Sequence, residues 1–202
     1  MQLRGTVRPD RPLLVLALDE EAARLDDSLP VLITGVGKLR AAMAVTSVLL
    51  QAGRPESVIN IGTAGALAPG LDGIHEIAAV IQHDFDDAAL FDLLGQHFGA
   101  PLLLLEPDAA HEGSLTRTLP RPVLATGDRF IAGGRARASL TTRADLVDME
   151  GYAVAAACRG LGVPVRLVKL VSDEADEDAS QTWADSVADH AHTLAAWVLA
   201  HL

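Results

Sequence analysis

The sequence predicts an α/β fold in which a sheet is buried between helices. Short runs of β-forming residues alternate with stretches of helical periodicity through most of the chain, a pattern typical of strands and helices packed in layers. Half of the 202 residues are hydrophobic, and a chain of this length can bury a core that is stable without disulfide bonds or structural metal ions. We therefore expect residues 1–202 to form one domain, with residues 1–11 as a loose N-terminal arm.

Short apolar runs predict the strands. Each run is bounded by polar or turn-forming residues and is too short to be read as a helix on its own. The predicted strands span residues 13–18, 31–34, 57–61, 76–82, 122–125 and 163–171.

Three segments predict helices. Residues 38–51 repeat apolar side chains at helical spacing and are followed by Gly53 and Pro55, which end a helix. The alanine-rich segment 145–159 is followed by Gly160, Gly162 and Pro164, and residues 182–202 carry one apolar face. The segment 91–119 has no clear pattern, so no element is predicted there.

Charge and composition exclude several classes of function. The net charge of -11 and the isoelectric point near 4.9 argue against binding to nucleic acid or to anionic lipid, because both require a positive surface. The apolar run 13–18 is too short for a secretory signal, and no segment approaches the roughly eighteen apolar residues of a membrane span. The single cysteine, Cys158, cannot form an internal disulfide, so we expect a cytoplasmic protein. The negative charge favours a protein that acts on small molecules.

Two local motifs resemble known sites but lack essential residues. The turn Gly35-Val36-Gly37-Lys38 has Arg40 where a dinucleotide-binding motif needs a third glycine, and Leu39 where a P-loop needs serine or threonine. The segment His83-Asp84-Phe85-Asp86 offers one imidazole and two carboxylates, too few ligands to indicate a metal site. We therefore expect no metal and no cofactor.

The position of Asp173 indicates a ligand site. Asp173 directly follows the apolar strand predicted at residues 163–171, and ligands of open α/β sheets bind beyond the carboxyl ends of strands. The other acidic residues of the segment 173–178 are read as a solvated loop.

Five segments taken together resemble the methylthioadenosine/S-adenosylhomocysteine nucleosidases of the nucleoside phosphorylase superfamily, and the resemblance covers most of the chain from about Leu13. It implies a phosphorylase/hydrolase-like fold with a central mixed sheet flanked by helices, a homodimer, and a purine nucleoside as substrate. The segments are Thr34-Gly35-Val36-Gly37-Lys38 with Ala41-Ala42, Asn60-Ile61-Gly62-Thr63-Ala64-Gly65, Ala125-Thr126-Gly127-Asp128-Arg129-Phe130, Asp148-Met149-Glu150-Gly151 and Ser172-Asp173-Glu174-Ala175-Asp176.

The resemblance implies a role for each matching residue. Asp173 matches the acid that protonates the leaving purine, with Ser172 as an orienting hydroxyl, because a departing base needs a proton. Glu150 matches the residue that binds the sugar hydroxyls, and Met149 packs under the ribose. The remaining matches would contact the substrate: Phe130 and Ile131 contact the base, Trp183 matches an aromatic residue that closes over the base, and Thr63, Ala64 and Gly65 also bind the substrate. Lys169 stands at the position of a family arginine, and we predict that it pairs with an acidic residue near the site, since a buried cation needs a partner.

The resemblance also favours water over phosphate as the nucleophile. Glu21 matches the glutamate that activates water, whereas Asn60 stands where bacterial hexameric phosphorylases carry a phosphate-binding arginine. The segments between Glu21 and Val31 and between Asp86 and Pro122 are shorter than in the family. A phosphorylase, a futalosine-type hydrolase and a non-catalytic nucleoside-binding relative remain alternatives. The 5′ substituent and the choice of adenine or hypoxanthine stay open.

Overall fold

A computed structural model describes residues 1–104 and 121–202. In this part of the chain, ten strands form one mixed sheet flanked by five helices. The strands are β1 (Gln2–Arg4), β2 (Leu13–Leu16), β3 (Val31–Ile33), β4 (Val58–Ala66), β5 (Ile74–Glu76), β6 (Ala79–Gln82), β7 (Leu102–Leu103), β8 (Val123–Thr126), β9 (Leu146–Asp148) and β10 (Val165–Asp173). The helices are α1 (Lys38–Gln51), α2 (Asp87–Leu94), α3 (Gly134–Leu140), α4 (Gly151–Gly160) and α5 (Ala179–His201).

Strand β4 organises the sheet. It pairs in parallel with β2 on one side and with β10 on the other, and its last residues pair antiparallel with β9. Strands β9, β8 and β6 continue the sheet as a parallel set. The carboxyl ends of β2, β4 and β10 therefore meet at one edge, where ligands of such sheets bind.

Helices cover both faces of the sheet. Alternate residues of a strand point to opposite faces, so Leu13 and Val15 pack against α1 and α4, whereas Leu14 and Leu16 pack against α5. Cys158 lies in the layer formed by α1 and α4, where burial raises the pKa of its thiol to about 12. The thiol is therefore part of the core.

The helix predicted at residues 145–159 is wrong in its first part. Residues Leu146–Asp148 form β9, and the helix begins only at Gly151. The alanine content of the segment favours helix, but Leu146 and Val147 pair with both β4 and β8 and are buried. Pairing on two sides decides the conformation of these residues, and a local pattern cannot reveal it.

Several other elements differ from the sequence prediction. The run 76–82 is divided between β5, which pairs with β10, and β6, which pairs with β8. Residues 2–4, inside the predicted loose arm, form an edge strand on β3. Helix α2 extends into the start of the segment 91–119, for which the sequence predicts no element, and strand β7 lies within that segment. Residues 105–120 lie outside the described residues. Helix α3 was missed because its sequence has no apolar periodicity.

Helix α1 has the predicted bounds 38–51. The closing helix α5 begins three residues earlier than predicted, at Ala179. None of the helices in the described ranges is both long and apolar enough to cross a membrane.

Candidate active site

A cavity of about 270 Å³ lies at the carboxyl ends of β2, β4 and β10. Its walls come from segments far apart in the chain, and all eleven residues for which the sequence suggests a role in catalysis or substrate binding line it. These residues are Glu21, Thr63, Ala64, Gly65, Phe130, Ile131, Met149, Glu150, Ser172, Asp173 and Trp183. Residues without a predicted role also line it, among them Val36, Arg129 and Asp148.

Asp173 is the last residue of β10 and faces this cavity. The hydroxyl of Ser172 donates a hydrogen bond to its Oδ2 at 2.7 Å, and the backbone N–H of Ala175 donates to its Oδ1 at 2.9 Å. Ala175 holds a positive φ of 50°, which turns its N–H back toward the carboxyl group. Two donors on either side of one carboxyl group fix its orientation toward the cavity.

Two glycines of β4 give the carboxyl groups room. A Cβ atom added to Gly65 would lie 2.9 Å from Oδ1 of Asp173, and one added to Gly62 would lie 3.1 Å from Oε1 of Glu21. Side chains at these positions would displace one carboxyl group or the other. The glycines of the segment Asn60-Ile61-Gly62-Thr63-Ala64-Gly65 are therefore needed for close approach of the two acids to the strand.

Glu21 is buried, with 3% of its surface exposed, and lies in the turns that follow β2. Its Oε1 accepts hydrogen bonds from the backbone N–H and the hydroxyl of Thr63, both at 2.9 Å. Its Oε2 accepts the N–H of Leu18 at 3.3 Å. The shortened segment after Glu21 thus still places this side chain against β4 and beside the cavity.

Glu150 lies directly before α4 and is 8% exposed. The backbone N–H of Gly37 donates to its Oε1 at 2.8 Å, which joins the turn before α1 to the sugar-binding residue that the resemblance suggests. Burial, together with the negative charge of Asp148, raises the pKa of the Glu150 carboxyl to about 8. The Glu150 carboxyl therefore keeps its proton to a higher pH than an exposed glutamate does.

Lys169 pairs with Asp148, which confirms the prediction that this lysine has an acidic partner near the site. Its Nζ lies 2.9 Å from Oδ2 of Asp148, and each side chain is 2% exposed. Burial alone would lower the pKa of Lys169, but the charges of Asp148, Glu150 and Glu21 raise it above its ordinary value. Asp148 was not predicted as a site residue, although it lies within a segment that carries the family resemblance.

The glycine turn at residues 35–38 and the acidic segment 83–86 are joined to each other, and both are joined to the loop that begins after β8. The ammonium group of Lys38 forms an ion pair with Asp84, and its backbone N–H donates to Oδ1 of Asp128 at 2.7 Å. Asp84 in turn accepts the N–H of Asp128 at 2.7 Å. These bonds tie the turn before α1 to the loop that carries Phe130. Asp86 caps α2, and no group of three potential metal ligands occurs among the described residues.

The raised pKa of Glu150 predicts a specific dependence of stability on pH. The folded chain keeps this proton up to about pH 8, whereas an unfolded glutamate releases it near its ordinary value of 4.5. Between these values the unfolded state binds fewer protons, so this group makes the protein less stable as the pH rises, by about 1.4 kcal/mol for each unit of pKa difference.

We expect the Glu150→Gln variant to lack this loss. From pH 5 to pH 8.5 the loss amounts to about 4 kcal/mol, so the melting temperature of the variant should fall by roughly 8–15 °C less than that of the natural chain. Differential scanning calorimetry at several pH values measures the difference. Glu174→Gln, at an exposed glutamate, is the control. Parallel curves for the natural chain and Glu150→Gln would contradict the assignment.

The fold and the site together define an α/β protein with a ligand cavity at one edge of its sheet, and comparison with known families identifies its class. The family model described as the phosphorylase superfamily matches residues 25–201. The chain belongs to the phosphorylase superfamily.

Within the superfamily the chain is similar to nucleosidases. It is 34% identical over 175 residues to the 5′-methylthioadenosine/S-adenosylhomocysteine nucleosidase of Actinobacillus succinogenes, with 78% of this chain and 73% of the relative covered. It is 30% identical over 172 residues to the aminodeoxyfutalosine nucleosidase of Helicobacter pylori, with 79% and 74% covered. The structure of the 5′-methylthioadenosine/S-adenosylhomocysteine nucleosidase of S. pneumoniae with a transition-state inhibitor superposes with a TM-score of 0.73 at 27% identity, covering 94% of this chain and 97% of the other.

Proposed function

We propose that this protein hydrolyses the N-glycosidic bond of a purine nucleoside and releases the free base and a ribose derivative. The observation that carries the proposal is the meeting of Asp173, Glu150 and Glu21 at one cavity, although they come from three separate parts of the fold. The reaction needs one acid for the leaving base, one group for the sugar and one base for water. The nucleosidases among the relatives support the same chemistry.

Asp173 acts as the general acid in this proposal. The purine leaves with the electron pair of its bond to the sugar, so a proton on a ring nitrogen lowers the barrier. Ser172 and Ala175 hold the carboxyl group at the cavity wall. Phe130 and Ile131 provide the surface against which the base lies, Phe130 being half exposed and Ile131 buried.

Glu150 binds the sugar. One oxygen of its carboxyl group accepts the N–H of Gly37. Among the described residues none donates to the other oxygen, which can accept a hydrogen bond from a ribose hydroxyl. As the bond to the base breaks, the sugar becomes positively charged, which favours the ionised form of Glu150. Met149 packs under the ribose, while Ala64 and Gly65 form the wall contributed by β4.

Glu21 activates the nucleophile. It accepts a proton from a water molecule whose oxygen then bonds to the anomeric carbon of the sugar. The three hydrogen bonds from Thr63 and Leu18 hold the carboxylate in one plane beside the cavity. A negative charge at this position also repels orthophosphate, which favours hydrolysis over phosphorolysis.

The residue at the position of the phosphorylase arginine supports the same choice. Asn60 is 2% exposed and donates its amide N–H to the carbonyl oxygen of Val15 at 3.0 Å, so it contributes to the sheet. Among the described residues that line the cavity, Arg129 alone carries a positive charge, and four carboxylic acids line the same space. Such a surface suits a sugar cation better than a phosphate anion.

The relatives suggest the class of nucleoside. Methylthioadenosine and S-adenosylhomocysteine are the substrates named for one relative, and aminodeoxyfutalosine is named for another. We propose a purine nucleoside of this group with a modified 5′ position, bound without a cofactor.

We also propose that residues 1–202 work as one domain in a homodimer. Helix α1 exposes Leu39 and Met43, and helix α2 exposes Leu93 and Leu94. Exposed apolar faces of this kind are typical of surfaces that become buried in a protein–protein interface. Sedimentation of the purified chain at the monomer mass of 21.2 kDa across micromolar concentrations would contradict the dimer.

A cytoplasmic location is proposed because the one cysteine is a buried free thiol, as expected in a reducing compartment. Recovery of the chain from the secreted fraction of its host would contradict this location.

The test of the proposed function is an assay with several purine nucleosides in the presence and absence of orthophosphate. Chromatography identifies the base and mass spectrometry identifies the sugar. Release of base and free sugar without phosphate is the expected result. Formation of a sugar 1-phosphate would replace hydrolysis with phosphorolysis, and no release from any purine nucleoside would favour a binding protein.

A further inference from the structure

We propose that Trp183 is a positioning residue for Glu21 and acts on it through the hydroxyl group of Thr63. The family resemblance suggests only an aromatic ring at this position, which would close over the substrate. The second role proposed here rests on the proposed function, because it concerns the group that activates water. It depends on the indole N–H, so the ring and the N–H can be tested separately.

A chain of hydrogen bonds joins the three residues. The indole Nε1 of Trp183 donates to Oγ1 of Thr63 at 3.1 Å. The hydroxyl of Thr63 donates to Oε1 of Glu21 at 2.9 Å. Trp183 lies in the first turns of α5, Thr63 lies in β4, and Glu21 lies in the turns after β2. The contact therefore connects the start of the closing helix with the interior of the site.

The direction of these two hydrogen bonds is fixed by the chemistry of the three residues. An indole N–H can only donate, so Thr63 must receive it on a lone pair of its hydroxyl oxygen. The hydroxyl has one proton, and with the indole in place that proton points to the carboxylate of Glu21. Without the indole N–H, the hydroxyl can rotate and donate elsewhere.

The effect on Glu21 is an orientation effect. Its Oε1 accepts two bonds from Thr63, and its Oε2 accepts one from Leu18. With Oε1 occupied in this way, Oε2 keeps a lone pair for water. If the Thr63 hydroxyl turns away, the carboxylate can rotate and both oxygens compete for the water. Trp183 thus affects the chemical step without touching the reacting atoms.

A double-mutant cycle separates this role from packing. Trp183→Phe keeps an aromatic ring and removes the N–H, and Thr63→Val keeps the volume and removes the hydroxyl. We expect Trp183→Phe to lower kcat about three- to tenfold, the effect of one hydrogen bond, with KM changed by less than about twofold. In the Thr63→Val background, Trp183→Phe should have no further effect beyond about twofold.

An equal loss in both backgrounds would overturn the proposal, because a packing role does not depend on the Thr63 hydroxyl. A loss in KM alone would overturn it as well. Trp197→Phe is the matched control: the same substitution is made at a tryptophan that stacks on His201, away from the cavity. Its kcat and KM should equal those of the natural chain.

A spectroscopic readout is independent of turnover. In protein labelled with nitrogen-15, Trp197→Phe assigns the two indole N–H signals. The Trp183 signal should shift in Thr63→Val and in Glu21→Gln, whereas the Trp197 signal should not. An unmoved Trp183 signal would overturn the positioning role. If the natural chain releases no base, the proposed function fails, and the indole signals still decide whether Trp183 and Glu21 are linked.

Discussion

The Asp173→Asn variant is expected to lose at least about a thousandfold in kcat, since general acid catalysis contributes factors of this order. The amide has nearly the volume of the carboxylic acid but cannot give a proton to a leaving purine. The carbonyl oxygen of the asparagine can still accept the N–H of Ala175 or the hydroxyl of Ser172, so the melting temperature should change by only a few degrees. Release of base from the preferred nucleoside, followed by absorbance, measures the loss.

The matched control is Asp92→Asn, which makes the same change at an exposed aspartate of α2. Calorimetric titration with the free base should give similar affinities for the natural chain and Asp173→Asn, because the walls of the pocket stay in place. Turnover within tenfold of the natural chain would exclude Asp173 as the acid. If Asp173→Asn loses both its fold and its activity, Asp173→Glu tests the chemical role instead. This variant keeps a proton donor and should retain part of the turnover.

Features with local causes could be predicted from the sequence. Helix α1 has the predicted bounds because its apolar spacing and the Gly53 and Pro55 that follow it are all local signals. The position of Asp173 at the ligand-binding edge follows from one strand and a general property of parallel sheets. The family resemblance added the residues from other segments, and these line the same cavity as Asp173.

Features with distant causes could not be predicted. Leu146 and Val147 form a strand because β4 and β8 lie on either side of them, not because of their neighbours in sequence. The raised pKa of Glu150 depends on its burial and on the charge of Asp148, which the sequence alone cannot quantify. The bond between Trp183 and Thr63 joins residues 120 positions apart. Such contacts exist only after the sheet has formed and α5 has packed against it.

Glu21→Gln is the second variant with a large expected effect, a loss of about a hundred- to a thousandfold in kcat. A glutamine cannot accept a proton from water. Its carbonyl oxygen can still accept both hydrogen bonds from Thr63, so the fold should persist. Glu20→Gln, at the exposed glutamate next in sequence, is the control and should keep full activity.

An added anion should distinguish Glu21 from Asp173. Azide is a nucleophile that needs no deprotonation, and Glu21→Gln removes a negative charge that would repel it. In this variant azide should restore part of the base release and yield a glycosyl azide, detectable by mass spectrometry. In Asp173→Asn azide should restore nothing, because the departing purine still lacks its proton. Rescue of Asp173→Asn by azide, without rescue of Glu21→Gln, would reverse the two assignments. Orthophosphate provides a further test of Glu21→Gln. If it stimulates this variant and a sugar 1-phosphate is released, the carboxylate of Glu21 is what separates this hydrolase from a phosphorylase.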